Sequence, residues 1–243
     1  MGLGFESHRT EIKRVTSTMN KMLASVNSLE EALIAQHAKV DIIDLKQPAR
    51  GALGALDIVD VQTIVTALEQ TSPISATVGD LPMQAELIFS AVEKMAETGV
   101  EYIKIGFFPD RDWASIINQL QVLTQRGLKL IAVLFADQQP DLNSIPLFSG
   151  AGFNGIMLDT MDKTNGSLTQ VMSLEIIQEF VKSAKQQQLL CGLAGSLRES
   201  DIATLLPLQA DYLGFRGALC VNHQRTAELD SESLLRIKAA LKN

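Results

Sequence analysis

Short runs of Val, Ile, Leu and Ala alternate with longer amphipathic stretches along the whole chain. Compact apolar runs of about four to eight residues between turn formers read as strands, and apolar positions recurring every three or four residues read as helices. On this pattern strands fall at residues 21–26, 40–46, 74–78, 101–106, 129–135, 155–159, 189–193 and 210–215. Helices follow at 28–38, 59–70, 83–98, 112–126, more weakly within 141–149, then at 174–188, near 199–206 and at 231–241. Ser28 is an N-cap, with Glu31 three residues on completing a capping box. Gly99 and Gly127 stop the third and fourth helices. A helix after every strand returns the chain to the same edge, which requires a parallel sheet. Eight such units in about 225 residues favour a closed (β/α)8 TIM barrel, with an open doubly wound sheet as the alternative. No linker divides the pattern, so residues 21–243 read as one barrel domain and residues 1–20 as an arm or extra helix.

Charge interrupts three of the strands in the same way. In the second, Ile43 and Leu45 share one face, leaving Ile42, Asp44 and Lys46 on the other. In the fourth, Ile103 and Ile105 face the helices and Lys104 points inward; in the sixth, Ile156 and Leu158 face outward and Asp159 inward. Lys163 lies four residues beyond, on the following loop. Alternate strands fill one layer of such a barrel, so Asp44, Lys46, Lys104, Asp159 and Lys163 are predicted to meet near the C-terminal ends of the strands.

A buried ammonium needs partners or a role. One reading is a structural layer of ion pairs. Three lysines and two aspartates at matching strand ends favour a reactive site, because this face is where such barrels do chemistry. A free lysine is neutral in only about one molecule in 2,500 at pH 7. A second ammonium and partial desolvation lower its pKa and make the amine nucleophilic toward an aldehyde or ketone. The protonated imine acidifies the adjacent carbon, and neighbouring amines or carboxylates move the protons. The predicted class is imine-forming carbon–carbon chemistry on a carbonyl substrate.

The seventh strand runs into Gly192-Leu193-Ala194-Gly195-Ser196-Leu197-Arg198 and the eighth into Gly214-Phe215-Arg216-Gly217. Loops at these two places commonly bind phosphate through backbone N–H groups. Gly195 and Gly217 permit close approach, and Ser196 and Arg216 are expected to add donors; plain turn chemistry is the other reading of each loop. Thr77, near the end of the third strand, is a candidate substrate contact. Asp80 and Asp137 read either as site residues or as caps of the helices that follow.

Composition narrows the field. Of 243 residues 46% are apolar, with 16 Gly and 7 Pro, which excludes fibrous, low-complexity and disordered classes. Twenty-one basic against 28 acidic residues give a net charge of −7, the wrong sign for a non-specific nucleic-acid binder. Cys191 and Cys220 make no disulfide framework, and His8, His37 and His223 are too scattered to pair on zinc. No metal or cofactor is expected, although a carboxylate-bound magnesium stays open. No apolar run reaches the roughly 18 residues of a membrane span. Arg9, Glu11, Lys13 and Arg14 interrupt any signal peptide, and Glu6 stands where a myristoylation motif wants Ser or Thr. The expectation is a soluble, cytoplasmic chain with no nucleic-acid or membrane partner. The apolar helix 83–98 is either ordinary core or the interface of a homo-oligomer.

The segments Val40-Asp41-Ile42-Ile43-Asp44-Leu45-Lys46-Gln47-Pro48, Gly51-Ala52-Leu53-Gly54-Ala55, Ser75-Ala76-Thr77-Val78-Gly79-Asp80 and Tyr102-Ile103-Lys104-Ile105-Gly106 form a recognisable combination. With Leu158-Asp159-Thr160, Lys163 and Gly195-Ser196-Leu197, it resembles the (5-formylfuran-3-yl)methyl phosphate synthases of methanofuran biosynthesis, from about Lys21 onward. The resemblance implies a (β/α)8 barrel that joins and cyclises two molecules of glyceraldehyde 3-phosphate, with loss of water and one phosphate. It implies that Lys46 forms the Schiff base and Lys104 accepts a proton; Asp44 matches a further active-site position, and the mechanism expected here has it position the Lys46 amine. Asp159 and Lys163 match further active-site positions, and the same mechanism expects them to assist proton transfer and the departure of water or phosphate. The family often carries a lysine just past an Ala-Asp pair after the fifth strand. Here Ala136-Asp137 is followed by Gln138-Gln139-Pro140, so phosphate binding or charge tuning at that point is expected to be weaker. A class I aldolase-type phosphosugar lyase using the same lysines and a non-catalytic phosphometabolite-binding barrel are the alternatives.

Overall fold

A run of inward and outward side chains that alternates on every strand lets a sheet bury both faces, and here the sheet closes on itself. The computed structural model describes residues 20–68, 72–109 and 113–242, so the arm expected at 1–20 lies outside the described residues but for Asn20. The strands are β1 (Lys21–Val26), β2 (Ile42–Leu45), β3 (Ile74–Thr77), β4 (Tyr102–Phe107), β5 (Lys129–Phe135), β6 (Gly155–Asp159), β7 (Leu190–Leu193) and β8 (Tyr212–Phe215). All pair in parallel with their sequence neighbours. Met22, Leu23 and Ala24 of β1 stand against Leu213, Gly214 and Phe215 of β8, which closes the ring and excludes the open sheet. Outside lie α1 (Leu29–His37), α2 (Ile58–Ala67), α3 (Ala85–Ala96), α4 (Trp113–Gln125), α5 (Ile145–Gly150), α6 (Leu168–Val171), α7 (Leu174–Gln186), α8 (Glu199–Leu205) and α9 (Ser231–Ala240). No helix among the described residues is long and apolar enough to cross a membrane.

The period-2 phase holds in all three charged strands. Ile43, Leu45, Ile103, Ile105, Ile156 and Leu158 belong to the outer core between sheet and helices. Leu23, Ile131, Val133, Phe135, Met157 and Tyr212 fill the barrel interior. Each such side chain contributes about 1.5–3 kcal/mol by leaving water. A Cβ on Gly192 would lie 2.3 Å from the Tyr212 ring, so only glycine lets that ring occupy the middle of the barrel. This apolar plug leaves the polar inward residues to the C-terminal ends of the strands.

Boundaries differ in instructive ways. β2 starts at Ile42 rather than residue 40, because the Val40 N–H turns back to the Ala35 carbonyl and the Asp41 carboxylate accepts from the Met22 N–H at 2.8 Å. The weak fifth helix is a 3₁₀ turn, Leu142–Ser144, running into α5. The short α6 has no counterpart in the sequence pattern, since one turn is too brief for a periodicity to register. Ser28 does cap α1, accepting from the Glu31 N–H at 3.2 Å. The Glu31 carboxylate, however, accepts from the Asn27 N–H at 2.9 Å instead of closing the box on Ser28, because it is drawn into an ion pair with Arg216. The helix read at 83–98 is α3, whose Ile88, Val92 and Met95 are core residues.

Candidate active site

Two carboxylates organise the mouth of the barrel. Asp44 of β2 is fully buried between Ser25 of β1 and Ser75 of β3. Its Oδ1 accepts from Ser75 Oγ at 2.6 Å and its Oδ2 from Ser25 Oγ at 2.8 Å. Lys104 reaches across from β4 and places Nζ 2.6 Å from Asp44 Oδ1. Burial pulls the Lys104 pKa down; Asp44 resists, and the Lys46 charge lowers it further. Asp44, expected to position Lys46, therefore holds Lys104.

Lys46 is held by Asp159, whose Oδ2 lies 3.4 Å from its Nζ. The other oxygen of Asp159 accepts from Lys163 Nζ at 2.5 Å and from the Thr160 N–H at 2.8 Å. Burial would raise the Asp159 pKa, but Lys163, Lys46 and the Thr160 N–H together keep it far below the ordinary carboxylate range. Burial brings Lys163 down to about 8, with Asp159 opposing and Lys46 assisting. Lys163 Nζ donates also to the carbonyl and to Oγ1 of Thr160, so each of its three protons has an acceptor. Among the three lysines, Lys46 has the loosest tether, and its ammonium borders the central cavity.

That cavity, about 150 Å³, is bordered by Lys46, Lys104, Asp159 and Lys163, and by Gly195, Ser196 and Gly217 from the two glycine-marked loops. Gly195 has φ +111°, and a Cβ on it would sit 2.8 Å from Thr160 Cγ2. Ser196 also has positive φ. The N–H groups of Gly195 and Ser196 have no acceptor among the described residues, which leaves them available to an anion.

Other expected site residues have structural employment. Thr77 is buried and donates to the Gly54 carbonyl at 3.1 Å, outside the cavity lining. Arg216 borders the cavity as expected, but its guanidinium is saturated and has no spare donor for a phosphate. It pairs with Glu31 at 2.5 and 3.2 Å and donates to the carbonyls of Ser25, Arg225 and Ala227 at 3.2, 2.8 and 2.9 Å. Asp80 and Asp137 cap no helix. Asp80 takes the N–H groups of Ala52 and Leu53, each at 2.7 Å, and so braces the loop after Lys46. Asp137 takes those of Met161 and Asp162, at 2.7 and 2.8 Å, and braces the loop that carries Lys163. Gln139 borders a separate apolar groove with Phe107, Trp113 and Phe135, away from the lysine cavity.

Arg225 is among the cavity residues that sequence reasoning missed, with Ser25, Arg198 and His223. It is half-buried in the segment after β8 and reaches over to donate from Nη2 to the Gly51 carbonyl at 2.9 Å. The available signal was the length of the stretch between β8 and α9, since long loops on this face of a barrel carry function.

Fold and mouth together define a class: (β/α)8 barrels whose strands present a cluster of amines and carboxylates at their C-terminal ends. Within that class the chain belongs to the 4-HFC-P synthase family, whose sequence profile matches residues 22–238, and it is an enzyme. It is 36% identical over 233 residues, covering 96% of both chains, to a Methylorubrum extorquens protein provisionally named (5-formylfuran-3-yl)methyl phosphate synthase. It is 31% identical over 238 residues, 91% of this chain and 99% of the other, to the (5-formylfuran-3-yl)methyl phosphate synthase of Methanocaldococcus jannaschii. Among solved structures, a 3-hexulose-6-phosphate synthase superimposes with a TM-score of 0.65 at 16% identity, covering 90% of this chain and 99% of the other. The Thermus thermophilus phosphoribosyl anthranilate isomerase does so with a TM-score of 0.62 at 14% identity, covering 91% and 98%. These two likenesses speak to the fold.

Proposed function

We propose that this protein is a (5-formylfuran-3-yl)methyl phosphate synthase of methanofuran biosynthesis, joining two molecules of glyceraldehyde 3-phosphate through a Schiff base on Lys46. The observation that carries the reading is the unequal tethering of three amines in one cavity. Lys104 and Lys163 are locked by short ion pairs at 2.6 and 2.5 Å, whereas Lys46 has a single contact at 3.4 Å. An amine that must attack a carbonyl and then carry a substrate has to be the mobile one.

The other groups divide the proton work. Lys46 attacks the carbonyl carbon of one triose phosphate and water departs, leaving a protonated imine. Lys104, whose burial favours the neutral amine, takes the proton from the adjacent carbon, and Asp44 then stabilises the ammonium that forms. Lys163, an ammonium held by Asp159, returns protons to departing oxygen. The free N–H groups at Gly195 and Ser196 receive a phosphate. Over the whole reaction two triose phosphates give one phosphorylated furaldehyde, one inorganic phosphate and two waters, so no oxidant or reductant is consumed.

Incubation with glyceraldehyde 3-phosphate is expected to yield an ultraviolet-absorbing furan. Borohydride added during turnover is expected to trap an adduct on the peptide containing Lys46, absent in Lys46→Arg. Furan formation with that peptide unmodified would defeat the assignment. Carbon–carbon cleavage of a phosphosugar without furan would assign the aldolase reading instead.

A further inference from the structure

The anion-recognising groups of the cavity extend beyond the backbone of the two glycine-marked loops. Arg225 starts beside Gly217 in the segment after β8 and reaches to the Gly51 carbonyl in the loop after β2. That is its single hydrogen bond among the described residues, so Nε, Nη1 and the second proton of Nη2 are uncommitted. The guanidinium lies close enough to Asp159 and Lys163 for their charges to act on one another. Its position is built, not incidental. The segment bearing it is closed at the base by the antiparallel Cys220–Leu229 bridge and by the Val221 N–H on the Glu228 carbonyl. The carbonyl of Arg225 itself accepts from Arg216 Nε at 2.8 Å, and Arg216 is anchored in turn on buried Glu31.

We infer that Arg225 is a second phosphate-binding residue, gripping the phosphate monoester of one substrate molecule where its side chain reaches toward the loop after β2, and that Arg216 is the positioning residue that aims it. A planar guanidinium with several spare donors suits a phosphate dianion, and a reaction that consumes two phosphate esters at once needs two places to hold them. Naming the ligand as a triose phosphate rests on the function proposed above; the anion site itself does not.

The test uses inorganic phosphate and the full-length protein. Titration followed by calorimetry is expected to show two phosphate sites in the wild type and one in Arg225→Ala, with thermal unfolding unchanged. Arg225→Lys is expected to retain the second site, weakened about tenfold, as a point charge in place of a fork. With triose phosphate, Arg225→Ala is expected to raise KM about 10- to 100-fold, the range of a lost charge-assisted bond, with the borohydride adduct still forming on Lys46 at saturating substrate. Phosphate stoichiometry and affinity unchanged in Arg225→Ala would overturn the inference, as would an Arg225→Lys variant no better than Ala. Absence of furan from the wild type would count against the proposed function alone, since the phosphate titration needs no turnover.

Discussion

Replacing Asp44 by Asn removes one charge and almost no volume from the most enclosed part of the site. Asp44 is wholly buried and Lys104 is 2% exposed, so water cannot take over the role of the lost carboxylate. Breaking a buried pair by deleting one partner costs about 3–5 kcal/mol, because the remaining charge stays uncompensated. In a domain of this size each kcal/mol moves the melting temperature by about 2–4 °C. Asp44→Asn is therefore expected to melt about 6–20 °C below the wild type. Adding Lys104→Met removes the stranded ammonium, and the double variant is expected to recover more than half of the loss, a coupling that a double-mutant cycle in urea measures directly. The penalty has a pH signature. Without Asp44, burial and the Lys46 charge lower the Lys104 pKa against the weaker pull of Asp159 alone, while in the unfolded chain it returns to its ordinary value. Between those two values the unfolded state binds the extra proton, so the stability of Asp44→Asn should rise with increasing pH. A single variant that melts within about 1 °C of the wild type, or a double variant no more stable than the single, would refute the reasoning.

Three further outcomes are expected. If the Lys163 ammonium is the proton donor, kcat should fall as pH rises through about 8, and Lys163→Arg should move that limb upward; a limb at the ordinary lysine value would refute it. Glu31→Gln should cost about 3–5 kcal/mol in urea unfolding by orphaning the buried Arg216, far more than a surface pair would. Asp137→Ala takes the acceptor from the part-buried Met161 N–H and the exposed Asp162 N–H in the loop bearing Lys163, so stability should drop by about 1 kcal/mol and kcat should fall more than KM rises.

Strand positions, inward phase and the convergence of Asp44, Lys46, Lys104, Asp159 and Lys163 were legible from residue order, because alternation on a strand and layering in a barrel are set by local geometry. Which carboxylate serves which lysine was not. Asp44 and Lys104 meet across the intervening β3, and the choice between Lys46 and Lys104 depends on side-chain reach rather than on spacing. Long-range partners were hidden for the same reason. Asp80, Asp137 and Arg216 each look like local turn or loop residues, yet their hydrogen bonds run to backbone 27, 24 and 191 positions away. Beyond the length of its loop, nothing in the polar run around Arg225 declares that this side chain will fold back over the mouth.

The Glu31–Arg216 pair joins residues 185 positions apart, beside the junction where β1 meets β8. During synthesis β1 therefore waits with a bare edge, and Glu31 without its cation, until the last quarter of the chain has emerged. The hairpin carrying Arg225 hangs from that same guanidinium. Completion of the ring and placement of Arg225 at the mouth thus become a single event.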